Sequence, residues 1–170
     1  MTSLRRAETS GLYAIQRSLA APRAIAGARV LSHVGEHALG WLAVGATGIA
    51  ASRGHRRREW VRATQSVLTA HAAAVLIKRV VRRPRPDDVR IQVLVSTPSR
   101  LSFPSAHVAS TTAAAVAFGP LLAVGRVAPG SVVATMAGSR LVLGVHFPSD
   151  VAIGVMVGWA VAVSMRRTRT

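Results

Sequence analysis

Five apolar stretches, at residues 37–52, 63–77, 105–125, 127–145 and 151–165, alternate with clusters of arginine. That alternation limits the chain to folds that can dispose of a large area of apolar helix surface. Lipid accepts such surface directly, with flanking arginines anchoring the helix ends among headgroups. Several stretches fall short of the ~20 residues that cross a bilayer comfortably, and snorkelling arginines make up the difference. Periodicity alone is also compatible with a buried soluble helical bundle. Composition favours the membrane: half the residues are hydrophobic, yet 4% are aromatic and 16% charged. The expected fold is therefore an all-α integral-membrane bundle with about five transmembrane helices.

Length points to one domain over residues 1–170, with the bundle at 36–165 and a basic tail at 166–170. Residues 12–34 mix apolar side chains with Arg17, Arg23 and Arg29. This is too polar for a span and suits a helix lying in the interface, so residues 1–35 read as an N-terminal interfacial segment. For its first part, a loosely ordered tail is the competing reading. Arg5 and Arg6 are followed by no apolar run, so no cleavable signal peptide is read. Pro104 and Pro148 stand where new helices are expected to begin. There is no cysteine, which excludes disulfides, thiolate catalysis and cysteine metal sites.

The formal charge is +16, from 22 basic and 6 acidic residues. Nucleic acid, an anionic membrane surface or an anionic substrate would each suit that excess. The arginines cluster at stretch ends rather than along one face of a polar helix, so nucleic acid is a distant second. Placing residues 52–62 and the tail in the cytoplasm lets the five helices alternate without conflict, with Arg126 inside. Residues 78–100, the most basic segment, then fall outside. That breaks the positive-inside trend, and a phosphate-binding site would supply the reason.

Three short elements hold chemistry. In KRVVRRPRP, Lys78 is the only lysine beside 21 arginines, and Arg85 lies between Pro84 and Pro86, which stiffen the loop for bidentate phosphate contact. Arg79, Arg82 and Arg83 read first as a snorkelling basic helix end. In SFPSAH, Ser105 opens a helix whose unpaired first-turn amides attract an anion, or merely caps it. His107 is placed to protonate a leaving oxygen, although a lone histidine there is more often structural. In SRLVLGVHFPSD, Arg140 lies inside an apolar helix, which is costly without an anionic partner or a polar cavity. His146 and Asp150 are four apart, so the carboxylate can accept from one ring nitrogen and leave the other as a nucleophile. Taken alone, that pair reads first as an interfacial histidine beside a helix-capping aspartate.

Together the elements specify ten residues in order: Lys-x6-Arg-Pro, Pro-Ser-x-His and Ser-Arg-x5-His-x3-Asp. This pattern, from Lys78 to Asp150, resembles the type 2 phosphatidic acid phosphatase superfamily, which includes soluble acid phosphatases and vanadium haloperoxidases. The resemblance implies a lipid phosphate phosphatase in the plasma membrane that needs no metal or other cofactor. It implies that Lys78, Arg85 and Arg140 clamp phosphate, and that Ser105 and the Ala106 amide are oxyanion donors. His146 would be the nucleophile that forms a phosphohistidine, with Asp150 orienting it, His107 acting as general acid and Ser139 supporting. Members usually carry glycine where this chain has Ala106; if the position needs a positive φ, alanine costs on the order of 1 kcal/mol.

The site is expected at the non-cytoplasmic helix ends, with the C-terminus in the cytoplasm and the N-terminal segment serving as the first helix of the family core. Membrane helices and small size argue against a haloperoxidase, and a non-catalytic membrane or nucleic-acid-binding protein would leave the motif as coincidence. The compact chain resembles the family's short actinobacterial members, which implies a polyprenyl phosphate substrate such as a decaprenyl-phosphoryl pentose phosphate or undecaprenyl diphosphate. Phosphatidic acid and phosphatidylglycerol phosphate are the alternatives. The expected partners are thus the lipid bilayer and a membrane lipid phosphate; no oligomeric interface is read.

Overall fold

The computed structural model describes residues 3–123 and 127–167, and these contain seven α-helices and no strand. They are α1 (Ser3–Leu19), α2 (Pro22–Gly35), α3 (Leu39–Ala50), α4 (Gly54–Val81), α5 (Ala106–Phe118), α6 (Val127–Val142) and α7 (Pro148–Arg167). A single 3-10 turn, Glu36–Ala38, joins α2 to α3. The expectations for Arg126 and for residues 168–170 lie outside the described residues.

The N-terminal segment forms two helices packed on the bundle, and its first part is not a loose tail. On α1, Thr9, Leu12 and Gln16 are buried at helical spacing. Gln16 donates to the carbonyls of Gln92 at 2.8 Å and Val142 at 3.0 Å, and accepts the Gln92 amide at 3.1 Å. One buried amide side chain thereby satisfies the end of α6 and the loop beside it. Pro22 opens α2, where its missing N–H costs no hydrogen bond. Ala28, Ser32 and Gly35 form the buried side of α2, and α2 packs on α6.

Residues 54–62, expected as part of a cytoplasmic turn, are the first turns of α4. This helix has 28 residues, about 42 Å at the helical rise, against a hydrocarbon core of ~30 Å. Its basic start can therefore project beyond the apolar layer and remain helical. Trp60, Ala63, Val67, Ala70 and Ala74 form one buried stripe, and Lys78 ends it. The Trp60 and Phe118 rings lie 5.2 Å apart and bind α4 to α5.

Helix α5 is the centre of the bundle, between α4 and α7. Val108, Ala109, Ser110, Thr111, Ala113 and Ala114 are all fully buried, so the helix meets protein on every side. It begins at Ala106, two residues after Pro104, and ends at Phe118 rather than near residue 125. Its approach to α7 relies on two glycines one turn apart. A Cβ on Gly154 would stand 2.8 Å from the Ser105 carbonyl oxygen, and one on Gly158 would strike the Ala109 carbonyl. Small residues at that spacing let two helix backbones meet without a hydrophobic driving force between them.

Among the described residues, one helix is long and apolar enough to cross a membrane: Pro148–Arg166, with mean hydropathy 1.5. Only 28% of that window is buried, so most of its apolar surface faces outward, as at Met156 and Trp159. Between α4 and α5 the chain is irregular but closed on itself. The Ser102 amide donates to the Arg83 carbonyl at 2.8 Å, and the Arg85 amide donates to the Arg100 carbonyl at 3.2 Å. The Leu94 amide donates to the Leu143 carbonyl at 3.0 Å, docking the loop against the end of α6. This folded loop roofs the site.

Candidate active site

A cavity of about 590 Å³ opens where the loop, α2, α4, α5 and the α6–α7 connection meet. Lys78, Arg85, Ala106, His107, Arg140 and His146 all line it. Elements separated by as many as 68 residues, from Lys78 to His146, thus converge as the motif implied.

Lys78 is buried at the end of the α4 stripe, and its Nζ donates to the carbonyls of Leu101 at 3.1 Å and Ser102 at 3.4 Å. Arg85 donates through Nε to the Ser99 carbonyl at 2.9 Å and through Nη1 to the Val145 carbonyl at 2.5 Å. Burial pushes its guanidinium down to about 10, opposed by the Asp150 carboxylate, so it stays charged at neutral pH. Arg140, 1% exposed, donates to the hydroxyls of Ser139 at 3.1 Å and Ser32 at 3.0 Å and to the Ala28 carbonyl at 3.3 Å. Uncharged oxygens orient all three cations, and none forms an ion pair among the described residues. Buried positive charge without an ion-pair partner is costly, and Asp150 and Glu36 are the carboxylates nearest to offset it.

The α6–α7 connection presents His146 and Asp150. Gly144, at φ +68, turns the chain after α6, and Pro148 starts α7. His146 Nδ1 lies 3.5 Å from Asp150 Oδ2, and Nε2 lies 3.5 Å from Arg85 Nη1. The first distance is longer than a hydrogen bond, and the buried Nδ1 has no hydrogen-bond partner among the described residues. Asp150 also does what its helix position alone would ask. Its Oδ2 accepts the Phe147 amide at 2.8 Å, so the third residue of α7 reaches back to cap the helix start. In this conformation Asp150 caps α7 and faces His146 without bonding it.

His107, the second residue of α5, has Nε2 3.2 Å from the Ser32 carbonyl oxygen. Ser105 precedes the helix and is fully buried behind the cavity wall. Its amide donates to the Asp150 carbonyl at 3.0 Å, and its hydroxyl has no partner among the described residues. No side chain caps α5, which leaves the Ala106 end of the helix to the cavity. Ala106 is not among the residues of positive φ, so alanine in place of the usual glycine carries no backbone strain. Ser139 accepts from Arg140 Nε and in turn donates to the Met136 carbonyl at 2.7 Å.

Arg83 departs from expectation. It is not a snorkelling helix end but an ion-paired group, held by Asp150 Oδ1 at 2.8 Å, the Ser149 hydroxyl at 2.7 Å and Glu8 Oε2 at 2.6 Å. Phe147 lies beneath its guanidinium, 4.1 Å away. Glu8 also accepts the Ser149 amide at 3.1 Å. Burial pushes the Glu8 carboxyl up, but the bonds from Ser149 and Arg83 outweigh it and hold the group below its ordinary value. Sequence reading also passed over Ser32, which serves Arg140 with its hydroxyl and His107 with its carbonyl, and over His37 and His71 in the cavity wall. The one local signal was that Glu8 is among only six acidic residues in a strongly basic chain.

A family model described as the PAP2 superfamily matches residues 59–170. Decaprenylphosphoryl-5-phosphoribose phosphatase of Mycobacterium tuberculosis (strain ATCC 25618 / H37Rv) is 53% identical over 154 residues, which cover 90% of this chain and 85% of the relative. The protein of that name from Mycolicibacterium smegmatis (strain ATCC 700084 / mc(2)155) is 54% identical over 157 residues, covering 91% and 84%. The structure of a transmembrane PAP2 type phosphatidylglycerolphosphate phosphatase from Bacillus subtilis superposes with a TM-score of 0.77 at 21% identity, over 98% of this chain and 87% of that one. That likeness bears on the fold.

Proposed function

This chain belongs to the PAP2 superfamily, and from that premise we propose that it hydrolyses the phosphomonoester of a polyprenyl-phosphoryl sugar phosphate through a phosphohistidine on His146. The observation that carries the chemistry is the trio of Lys78, Arg85 and Arg140, which line one cavity and form no ion pair among the described residues, although Glu36 also lines that cavity. The substrate class rests on relatives at 53% and 54% identity that span nine-tenths of the chain.

In this reading the three cations and the start of α5 bind the non-bridging phosphate oxygens and take up the charge that spreads in the transition state. His146 Nε2 attacks phosphorus while the bond to the sugar oxygen breaks, and His107 gives that oxygen its proton. Asp150 holds Nδ1 and stabilises the charge that builds on the ring. His107, now neutral, then takes a proton from water, whose oxygen attacks phosphorus as the P–N bond breaks. Phosphate leaves and His146 is restored. The cations do here what a metal ion does elsewhere, so the reaction should run with EDTA present.

The same reading puts the protein in the plasma membrane with about five passes and α1–α2 against the interface. The site then lies at the non-cytoplasmic side and the C-terminus in the cytoplasm. The outward apolar surface of α7 and the length of α4 support it. At 12 and 13 residues, α3 and α5 reach about 18 and 20 Å by the helical rise. Helix α5 is enclosed by its neighbours and begins at the cavity, so it need not span the apolar layer alone.

Phosphate release from a polyprenyl-phosphoryl phosphoribose in detergent with EDTA, beside phosphatidic acid, phosphatidylglycerol phosphate and a polyprenyl diphosphate, tests the proposal. Turnover of the first substrate that vanishes in His146→Ala supports it. Preference for phosphatidic acid would overturn the substrate class, and no turnover of any lipid phosphate by folded protein would overturn the activity.

A further inference from the structure

The mechanism needs the Asp150 carboxylate in a fixed orientation and leaves open what holds it. Oδ2 accepts the Phe147 amide and faces His146, while Oδ1 is taken by Arg83 at 2.8 Å. A carboxylate held from two sides cannot rotate about its terminal torsion, which is otherwise broad. Arg83 is a long side chain and needs restraint of its own. Glu8 supplies it by accepting from Arg83 Nη2 at 2.6 Å, and Glu8 is itself tied to the α7 start by the Ser149 amide at 3.1 Å. The contacts form a closed ring from Glu8 through Arg83 and Asp150, along the backbone to Ser149, and back to Glu8. Charge-assisted bonds in such a ring are short and directional, and here the side chains of Glu8 and Asp150 are 10% and 0% exposed.

A fourth place in the phosphate clamp does not describe Arg83. It is absent from the cavity lining, its guanidinium already serves two carboxylates and a hydroxyl, and the Phe147 ring covers one face. Charge separates it from Lys78, Arg85 and Arg140, whose partners are uncharged. Glu8 comes from outside the stretch matched by the family model, which begins at residue 59.

The geometry points to Arg83 and Glu8 as positioning residues for the nucleophile: α1 locks Arg83 in place, and Arg83 locks the Asp150 carboxylate behind His146. The inference rests on the proposed roles of His146 and Asp150. It makes the N-terminal helix part of the machinery of the site, although α1 contributes nothing to the cavity wall. Supporting groups of this kind are needed because a reactive group that is free to turn spends little time in its productive orientation.

The test is steady-state kinetics of Arg83→Ala, Arg83→Lys, Glu8→Gln and the Arg83→Ala/Glu8→Gln double variant in detergent, on the best lipid phosphate found for the wild type. Arg83→Ala should lower kcat by roughly ten- to a hundredfold, as loss of a supporting partner does elsewhere, with KM within about twofold. Arg83→Lys should recover part of the loss, and Glu8→Gln should lose less than Arg83→Ala. The double variant should be no worse than Arg83→Ala, because Glu8 acts through Arg83. Unchanged kcat in folded Arg83→Ala overturns the inference, as does a rise in KM at constant kcat, which would make Arg83 a substrate ligand. If Arg83→Ala does not fold, Arg83→Lys and Glu8→Gln decide by the same comparison. A wild type inactive on every lipid phosphate overturns the underlying activity instead, so the two failures are distinct.

Discussion

Arg140 on α6 donates to the hydroxyl of Ser32 on α2 at 3.0 Å, across 108 residues of chain. The bond aims a guanidinium that the motif alone leaves unoriented, and it joins the N-terminal region to the proposed phosphate clamp. Arg140→Lys keeps the charge but loses the planar fork that reaches Ser139, Ser32 and Ala28 together. We expect kcat/KM to fall by on the order of a hundredfold or more, as for loss of one oxyanion donor. Ser32→Ala should destabilise the protein by about 1–3 kcal/mol, read as thermal unfolding in detergent. An Arg140→Lys enzyme of normal kcat/KM would remove Arg140 from the clamp.

His146 and Asp150 make a chemical prediction. Rapid quenching with substrate labelled in the leaving phosphate should trap label on the protein that survives alkali and is lost in acid, as phosphoramidates are. His146→Ala should trap none. Asp150→Asn should form it slowly, at a cost on the order of 10⁴ if the pair behaves as other carboxylate-oriented histidines do. Label retained in His146→Ala would assign the nucleophile elsewhere.

Gly144 combines φ +68 with a backbone neighbour where a side chain would go. A Cβ there would strike the Gln92 carbonyl and stand 2.8 Å from Gln16 Nε2. Gly144→Ala should cost roughly 1–2 kcal/mol for the left-handed backbone alone. Because the residue lies two positions before His146, activity should fall more than the loss of folded protein explains. A variant with wild-type kcat would show that the connection tolerates the shift.

Topology can be read without background labelling, since the chain has no cysteine. Val89, fully exposed in the loop over the site, is expected on the non-cytoplasmic side, and exposed Arg57 at the start of α4 on the other. An impermeant maleimide should label Val89→Cys in intact cells and Arg57→Cys only after permeabilisation. The reverse pattern would invert the orientation and leave the chemistry standing.

The helical character of the chain and most of the proposed reaction centre were legible in the sequence because both rest on local rules. Apolar stretches between arginine clusters call for helices with outward apolar faces, and His146 and Asp150 are related by a spacing that one turn and one helix start convert into proximity. Phosphate chemistry restricts which side chains can serve, so Lys78, Arg85, His107 and Arg140 stood out by type as well as position. Helix ends were less legible: residues 54–62 read as a turn because arginines look like loop, yet α4 runs through them as helix. Tertiary structure alone decided the roles of Glu8, Gln16, Ser32 and Arg83. Each acts on a group 75 to 141 residues away, or in Arg83's case 66 to 75. No periodicity encodes such a pairing; it exists only where packing removes two polar groups from water together and leaves each the other's partner.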